Sequence, residues 1–307
     1  MTSAELHPFY EGLVRRIHAS GGLCAITSGL ACVHFDVAET TKDCDLLCHP
    51  TAFRQLLELL ATTQVEGFTC RYRGNLSPPL DDRWHRGGWT SHFEWGRGPE
   101  AVTLDVFGRA LRGSAPWEDE LAGLYVNPHI VCEMKRTNRD KDWSFITALG
   151  MRMVRTGDDR GWLHIFHSAA FEDLLRDHAC PAEMVRLRPA LELAVQRDPR
   201  VDGALNAERK LWEKLDDLRI RIYERPLRVY MVAVRKARIP EAAPLREQHE
   251  TRVQCALDHL PMAPLGDYGV ERHVEEARRW LVESGTVPGD ALQWLPDVSR
   301  NFSYLTP

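Results

Sequence analysis

The chain reads as an α+β protein: a sheet flanked by helices, followed by an all-helical C-terminal part. Two observations predict this class. Short apolar runs of strand character alternate with helical stretches over the first 160 or so residues, and two of those runs form a hairpin. From about Ser168 onward the strand signals vanish and helical periodicity continues to the end, broken by Pro and Gly. The expected division is residues 1–160 and 161–307.

Residues Ala4 to His18 repeat apolar positions at three and four (Leu6, Phe9, Leu13, Ile17), the pattern of an amphipathic helix. Gly21-Gly22 reads as its C-cap and turn. A short strand, Leu23 to Ile26, leads into a Thr27-Ser28-Gly29 turn and a short helix. The backbone N–H groups of such a strand-to-helix turn can face an anion. Asp43-Cys44-Asp45 then opens a second apolar strand, Leu46 to Cys48. Side chains alternate along a strand, so Asp43 and Asp45 share a face with Cys44 turned inward between them. Two like charges held that close favour a cation, and paired carboxylates are what Mg²⁺ uses. A solvated strand end is the other account of the pair.

Pro50-Thr51 opens a helix through Leu60, and Gly67 to Arg73 looks like a strand. Residues 74–90 form a long polar loop carrying Arg83, Trp84, His85, Arg86 and Trp89. Such residues can stack on a base or approach phosphates, or the tryptophans can pin the loop to the body. Ser91 to Trp95 and Ala101 to Phe107 form the hairpin. Its second strand sets Asp105 among Val102, Leu104, Val106 and Phe107, where a lone carboxylate is costly without a partner. That partner is an arginine such as Arg109, or a metal ion shared with Asp43 and Asp45.

Tyr125-Val126 reads as a last strand. Asn127-Pro128 is a helix start, with an N-cap followed by proline in the first turn. The helix runs to about Thr137, and a second turns Trp143, Ile146, Leu149 and Met153 inward. Lys135, Arg139 and Lys141 make a basic set, either a solvated surface or a triphosphate clamp. Helices are then expected at 168–178, 182–196, 203–224, 226–238, 243–259, 270–284 and near 288–295. The stretch 200–240 is rich in Lys and Arg; it lines a cleft for a phosphorylated substrate or pairs with the acidic-leaning segment that follows.

At 307 residues the chain is long enough for one large or two ordinary domains. A net charge of −5 argues against a protein that coats nucleic acid by overall charge. No apolar run approaches bilayer length and the N-terminus lacks a signal-peptide core, so a soluble, cytoplasmic protein without a membrane partner is expected. The eight cysteines form no CxxC pair and read as buried free thiols.

The ordered set of strand, Ser28-Gly29 turn, helix, Asp43-Cys44-Asp45-Leu46, Leu104-Asp105-Val106 and the Lys135-bearing helix resembles the nucleotidyltransferase superfamily, the polymerase-β-like minimal fold. Its pattern is hG[GS], a spacer, Dh[DE]h and a third acid on a later strand; here thirteen residues separate Gly29 from Asp43. The run from Lys135 to Trp143 looks like the Lys…Arg-x-Lys-Asp element of the AbiEii-like branch, which includes toxins of toxin–antitoxin systems. The likeness covers roughly residues 20–155. It departs from the pattern where Ser28 replaces the first glycine, and where Glu39-Thr40-Thr41-Lys42 stands in place of an arginine before the aspartates.

The resemblance implies a nucleotidyltransferase-like mixed sheet and transfer of an NMP from an NTP to an acceptor hydroxyl. Asp43, Asp45 and Asp105 would be the catalytic carboxylates and the ligands of two Mg²⁺ ions. Ser28, Gly29, Lys135, Arg139 and Lys141 would bind the nucleotide. The acceptor it implies is tRNA, another RNA, a protein side chain or a small hydroxylated molecule, and an antitoxin would be a partner. A non-catalytic nucleotide-binding or scaffold protein on the same fold is the alternative, as is an α+β structural protein with coincidental acids.

Overall fold

A computed structural model describes residues 3–41, 43–114 and 116–305. Helix α1 (Ser3–Ala19) buries Leu6, Leu13, Val14 and Ile17 and ends in a Schellman turn. Gly22 N–H donates to Ile17 O, Gly21 N–H donates to His18 O, and Gly21 takes φ +81°. Strand β1 (Cys24–Thr27) runs directly into α2 (Ser28–His34). Then come β2 (Asp43–Cys48), α3 (Phe53–Thr62), a small ribbon of β3 (Gln64–Val65) and β4 (Phe68–Thr69), and β5 (Arg71–Tyr72). The strand expected over 67–73 is thus split, with Cys70 turned into the core between its halves.

The loop at 74–90 contains a short helix, α4 (Asp82–His85), whose N-cap Asp81 accepts from Arg83 N–H. The hairpin follows as β6 (Thr90–Trp95) and β7 (Val102–Phe107). Tyr125 makes only an isolated parallel bridge to Ile26. Helix α5 (Pro128–Met134) starts with the Asn127 side chain accepting from His129 N–H, and α6 (Asp140–Arg155) buries Trp143, Ile146, Leu149 and Met153.

The five-stranded sheet is mixed, in the order β1-β2-β7-β6-β5. Only the β2–β7 pair is parallel. Its two faces differ sharply. Ile26, Cys44, Leu46, Phe93, Leu104 and Val106 point to one side, into a core closed by α1 and α3. Their alternating neighbours Thr27, Asp43, Asp45, His92, Thr103 and Asp105 point to the other.

The C-terminal part is helical: α7 (Ser168–Leu174), α8 (Ala182–Leu187), α9 (Ala190–Gln196), α10 (Val201–Lys236), α11 (Leu245–His259), α12 (Pro264–Tyr268) and α13 (Val270–Ser284). The helix expected over 182–196 breaks at Arg188, whose extended backbone precedes Pro189. The break expected at Pro226 does not occur. Helix α10 runs through it as one rod of about 54 Å. Leu215, Leu218, Tyr223, Tyr230 and Val234 stay buried on both sides of the proline, so packing outweighs the lost hydrogen bond. One apolar cluster reaches from Ala25 to Phe302, so the helices share a core with the sheet half. No helix among the described residues is long and apolar enough to cross a membrane.

Candidate active site

The polar face of the sheet is built by register. Thr27 pairs with Asp45, Asp45 with Asp105, and Asp105 with His92, so these four form one row across four adjacent strands. Arg73, just past β5, extends the row: its N–H donates to His92 O, and its guanidinium donates to Asp105 at 2.9 and 3.2 Å. His92 Nδ1 lies 2.8 Å from the same carboxylate. A second row, one pleat away, runs Asp43, Thr103, Glu94, Arg71. In it Thr103 Oγ1 donates to Asp43 at 2.8 Å, and Arg71 pairs with Glu94 at 2.8 Å.

Asp43, Asp45 and Asp105 therefore lie on one face, with Asp45 and Asp105 side by side on neighbouring strands. Cys44 is buried between the first two. Burial and the Asp105 charge push the Asp45 carboxyl up to about 7, while a hydrogen bond from Ser28 and the charge of Lys135 pull against that rise. Oxygen donors with uncompensated like charge suit a hard cation such as Mg²⁺. Among the described residues, however, no three acidic, His or Cys groups converge on one point. The donor chemistry fits an ion between Asp45 and Asp105; Asp43 is turned to Thr103, and Asp105 is shared with Arg73 and His92.

The strand-to-helix turn sits beside this pair. Ser28 takes φ +55°, the left-handed region where glycine is at ease, at the position where the resembled pattern has its first glycine. Gly29 is needed for a different reason: a Cβ there would meet Thr41 Oγ1 at 2.6 Å.

Of the expected basic clamp, Lys135 is buried and bonded to Asp142 at 2.9 Å, and the exposed Arg139 reaches the same carboxylate at 2.8 Å. Thr137 Oγ1 adds a third donor at 3.0 Å. The acid that organises the element thus lies at the start of the next helix, so Lys135 is neither on a solvated surface nor free of a carboxylate partner. Lys141 is exposed.

Asp105 pairs with Arg73 and His92 where the sequence pointed to Arg109, because cross-strand register selects its partners. One signal for His92 was available: in Ser91-His92-Phe93-Glu94 it alternates with an apolar residue on a strand that pairs with Asp105's own. Nothing in sequence spacing flags Arg73.

The loop at 74–90 takes its pinning role. Trp84 and Trp89 are buried, donating from their indoles to Leu260 O and Pro261 O at 2.9 and 2.8 Å. His85 is buried on Ser91, and Arg83 and Arg86 pair with Asp81 and Asp82. In the basic stretch, Arg219 and Arg228 pair with Asp216 and Glu224 of the same helix. A larger groove, about 980 Å³, lies elsewhere, between α10 and residues 257–268, and touches none of the three aspartates.

Compared with known protein families, with curated proteins and with solved structures, the chain finds no match.

Proposed function

We propose that the chain is a nucleotidyltransferase, transferring an NMP from an NTP to an acceptor hydroxyl. The observation that carries this reading is the register of the sheet: Asp45 and Asp105 are direct partners across parallel strands, with Asp43 on the same face and the Ser28 turn following Thr27, the partner of Asp45 on β1. Nucleotidyl transfer asks a protein for positioning and charge neutralisation more than for covalent chemistry.

Asp43, Asp45 and Asp105 would hold Mg²⁺, in two sites as the resemblance implies. When bound, the metal would stabilise charge on the attacking and leaving oxygens. Arg73 and His92 position Asp105 by fixing its carboxylate from the β5–β6 side. Ser28 and Gly29 would face the phosphates, while Lys135 adds positive charge near Asp45 from its pair with Asp142. Arg139 and Lys141, both exposed, would meet the departing pyrophosphate. The acceptor would be tRNA, another RNA or a smaller hydroxylated molecule. A cytoplasmic toxin with an antitoxin partner belongs to the same reading.

The second reading is a nucleotide-binding or scaffold protein without catalysis. The Arg73 bridge to Asp105 and the left-handed Ser28 favour it. Isothermal titration with each NTP plus Mg²⁺ is the first test. Saturable binding that Asp45→Asn removes supports the nucleotide site, and no binding of any NTP contradicts nucleotidyl transfer and leaves only the scaffold form of the second reading.

A further inference from the structure

At the β5 edge of the sheet, the strand meets the C-terminal end of α10 and the start of α11 in a cleft of about 280 Å³. Six charged residues line it: Arg71, Glu94, Arg235, Arg238, Glu241 and Arg252. The two acids are already engaged. Glu94 pairs with Arg71 at 2.8 Å, and Glu241 pairs with Arg71 at 3.5 Å and with Arg97.

Three guanidinium groups remain. Arg252 is only 4% exposed, yet among the described residues no carboxylate pairs with it. It donates to Ser77 O at 3.0 Å and to Gly74 O, stacks over Tyr72, and keeps its Nε buried without a hydrogen-bond partner. A buried cation without a counter-charge is unfavourable unless an anion completes it. Among the described residues no carboxylate pairs with Arg235 or Arg238 either.

We propose that this cleft is a binding site for the phosphate group of a small phosphorylated ligand. Arginine suits it because its planar fork matches phosphate oxygens. None of the three aspartates lines the cleft. Its existence does not depend on nucleotidyl transfer.

The test is isothermal titration of the full chain with inorganic phosphate and, separately, with a nucleoside monophosphate. Both are run in EDTA so that no divalent ion bridges ligands to the aspartates. Saturable binding of both ligands is expected, weakened about tenfold or more in Arg235→Ala/Arg238→Ala, two exposed changes that leave the fold intact. Asp45→Asn should bind as the wild type does. Equal affinities assign the site to the phosphate group alone, and tighter monophosphate binding assigns it to a phosphoester; either supports the proposal. No saturable binding by the wild type, or undiminished binding by the double variant, overturns it. Binding lost only in Asp45→Asn overturns it as well, by moving the phosphate to the aspartate face.

Discussion

The two faces of the sheet use the same strands for opposite ends. Leu104 and Asp105 are adjacent in sequence, yet Leu104 is buried against α1 and α3 while Asp105 joins a row of hydrogen-bonding groups half-open to water. The apolar face needs only volume and shape. The polar face keeps like charges side by side and holds Asp45 well above the ordinary carboxylate range, an arrangement that weakens folding. The difference teaches that Asp45 sits where its charge costs stability, which is the arrangement a site for a cation or substrate predicts.

The sharpest way to break this comparison is to substitute each face in turn. Asp45→Asn or Asp105→Asn should lower nucleotidyl transfer by about a hundredfold or more without unfolding the chain, and Asp45→Asn should not lower the urea midpoint at neutral pH. Robust transfer by Asp105→Asn would remove its assigned role. Leu104→Ala should do the reverse, costing about 2–5 kcal/mol in urea denaturation with little change in transfer per folded molecule.

Charge sharpens the comparison further. The folded-state pKa of Asp45, about 7, stands above its unfolded value of 3.8, so its ionisation takes stability away as pH rises between them. Asp45→Asn should therefore be relatively more stable at pH 8 than at pH 4, read by denaturation at both. On the apolar side, buried His85 is held down to about 3 by desolvation. Below pH 6.5 the unfolded chain takes up a proton that folded His85 refuses, so stability falls as pH drops. The loss by pH 5 is on the order of 2 kcal/mol and should be much smaller in His85→Gln. The smallest effect belongs to the turn. Ser28→Gly relieves the left-handed strain but gives up the bond to Asp45, so stability should move by less than about 1 kcal/mol. Ser28→Val should lose more than that.

Much of this architecture was legible because alternation is a local property. Asp43-Cys44-Asp45 and Val102 to Phe107 announced their two faces, and Asn127-Pro128 announced a helix. What was hidden depends on non-local register and packing. Asp105 needed a partner, and that much was visible, but Arg73 reaches it only because β5, β6 and β7 align. Lys135 looked like a solvent-facing cation because its acid sits in the next helix, where Asp142 reads as a first-turn residue. Pro226 looked like a boundary because local rules do not see the buried side chains that carry α10 past it.

The central claim is tested most directly by incubating the full chain with Mg²⁺ and each α-labelled NTP, with total tRNA and with cell extract as acceptors. The account predicts label on an acceptor together with pyrophosphate release, both absent in Asp45→Asn. Label transferred equally by Asp45→Asn, or no transfer and no pyrophosphate with any NTP, would contradict it.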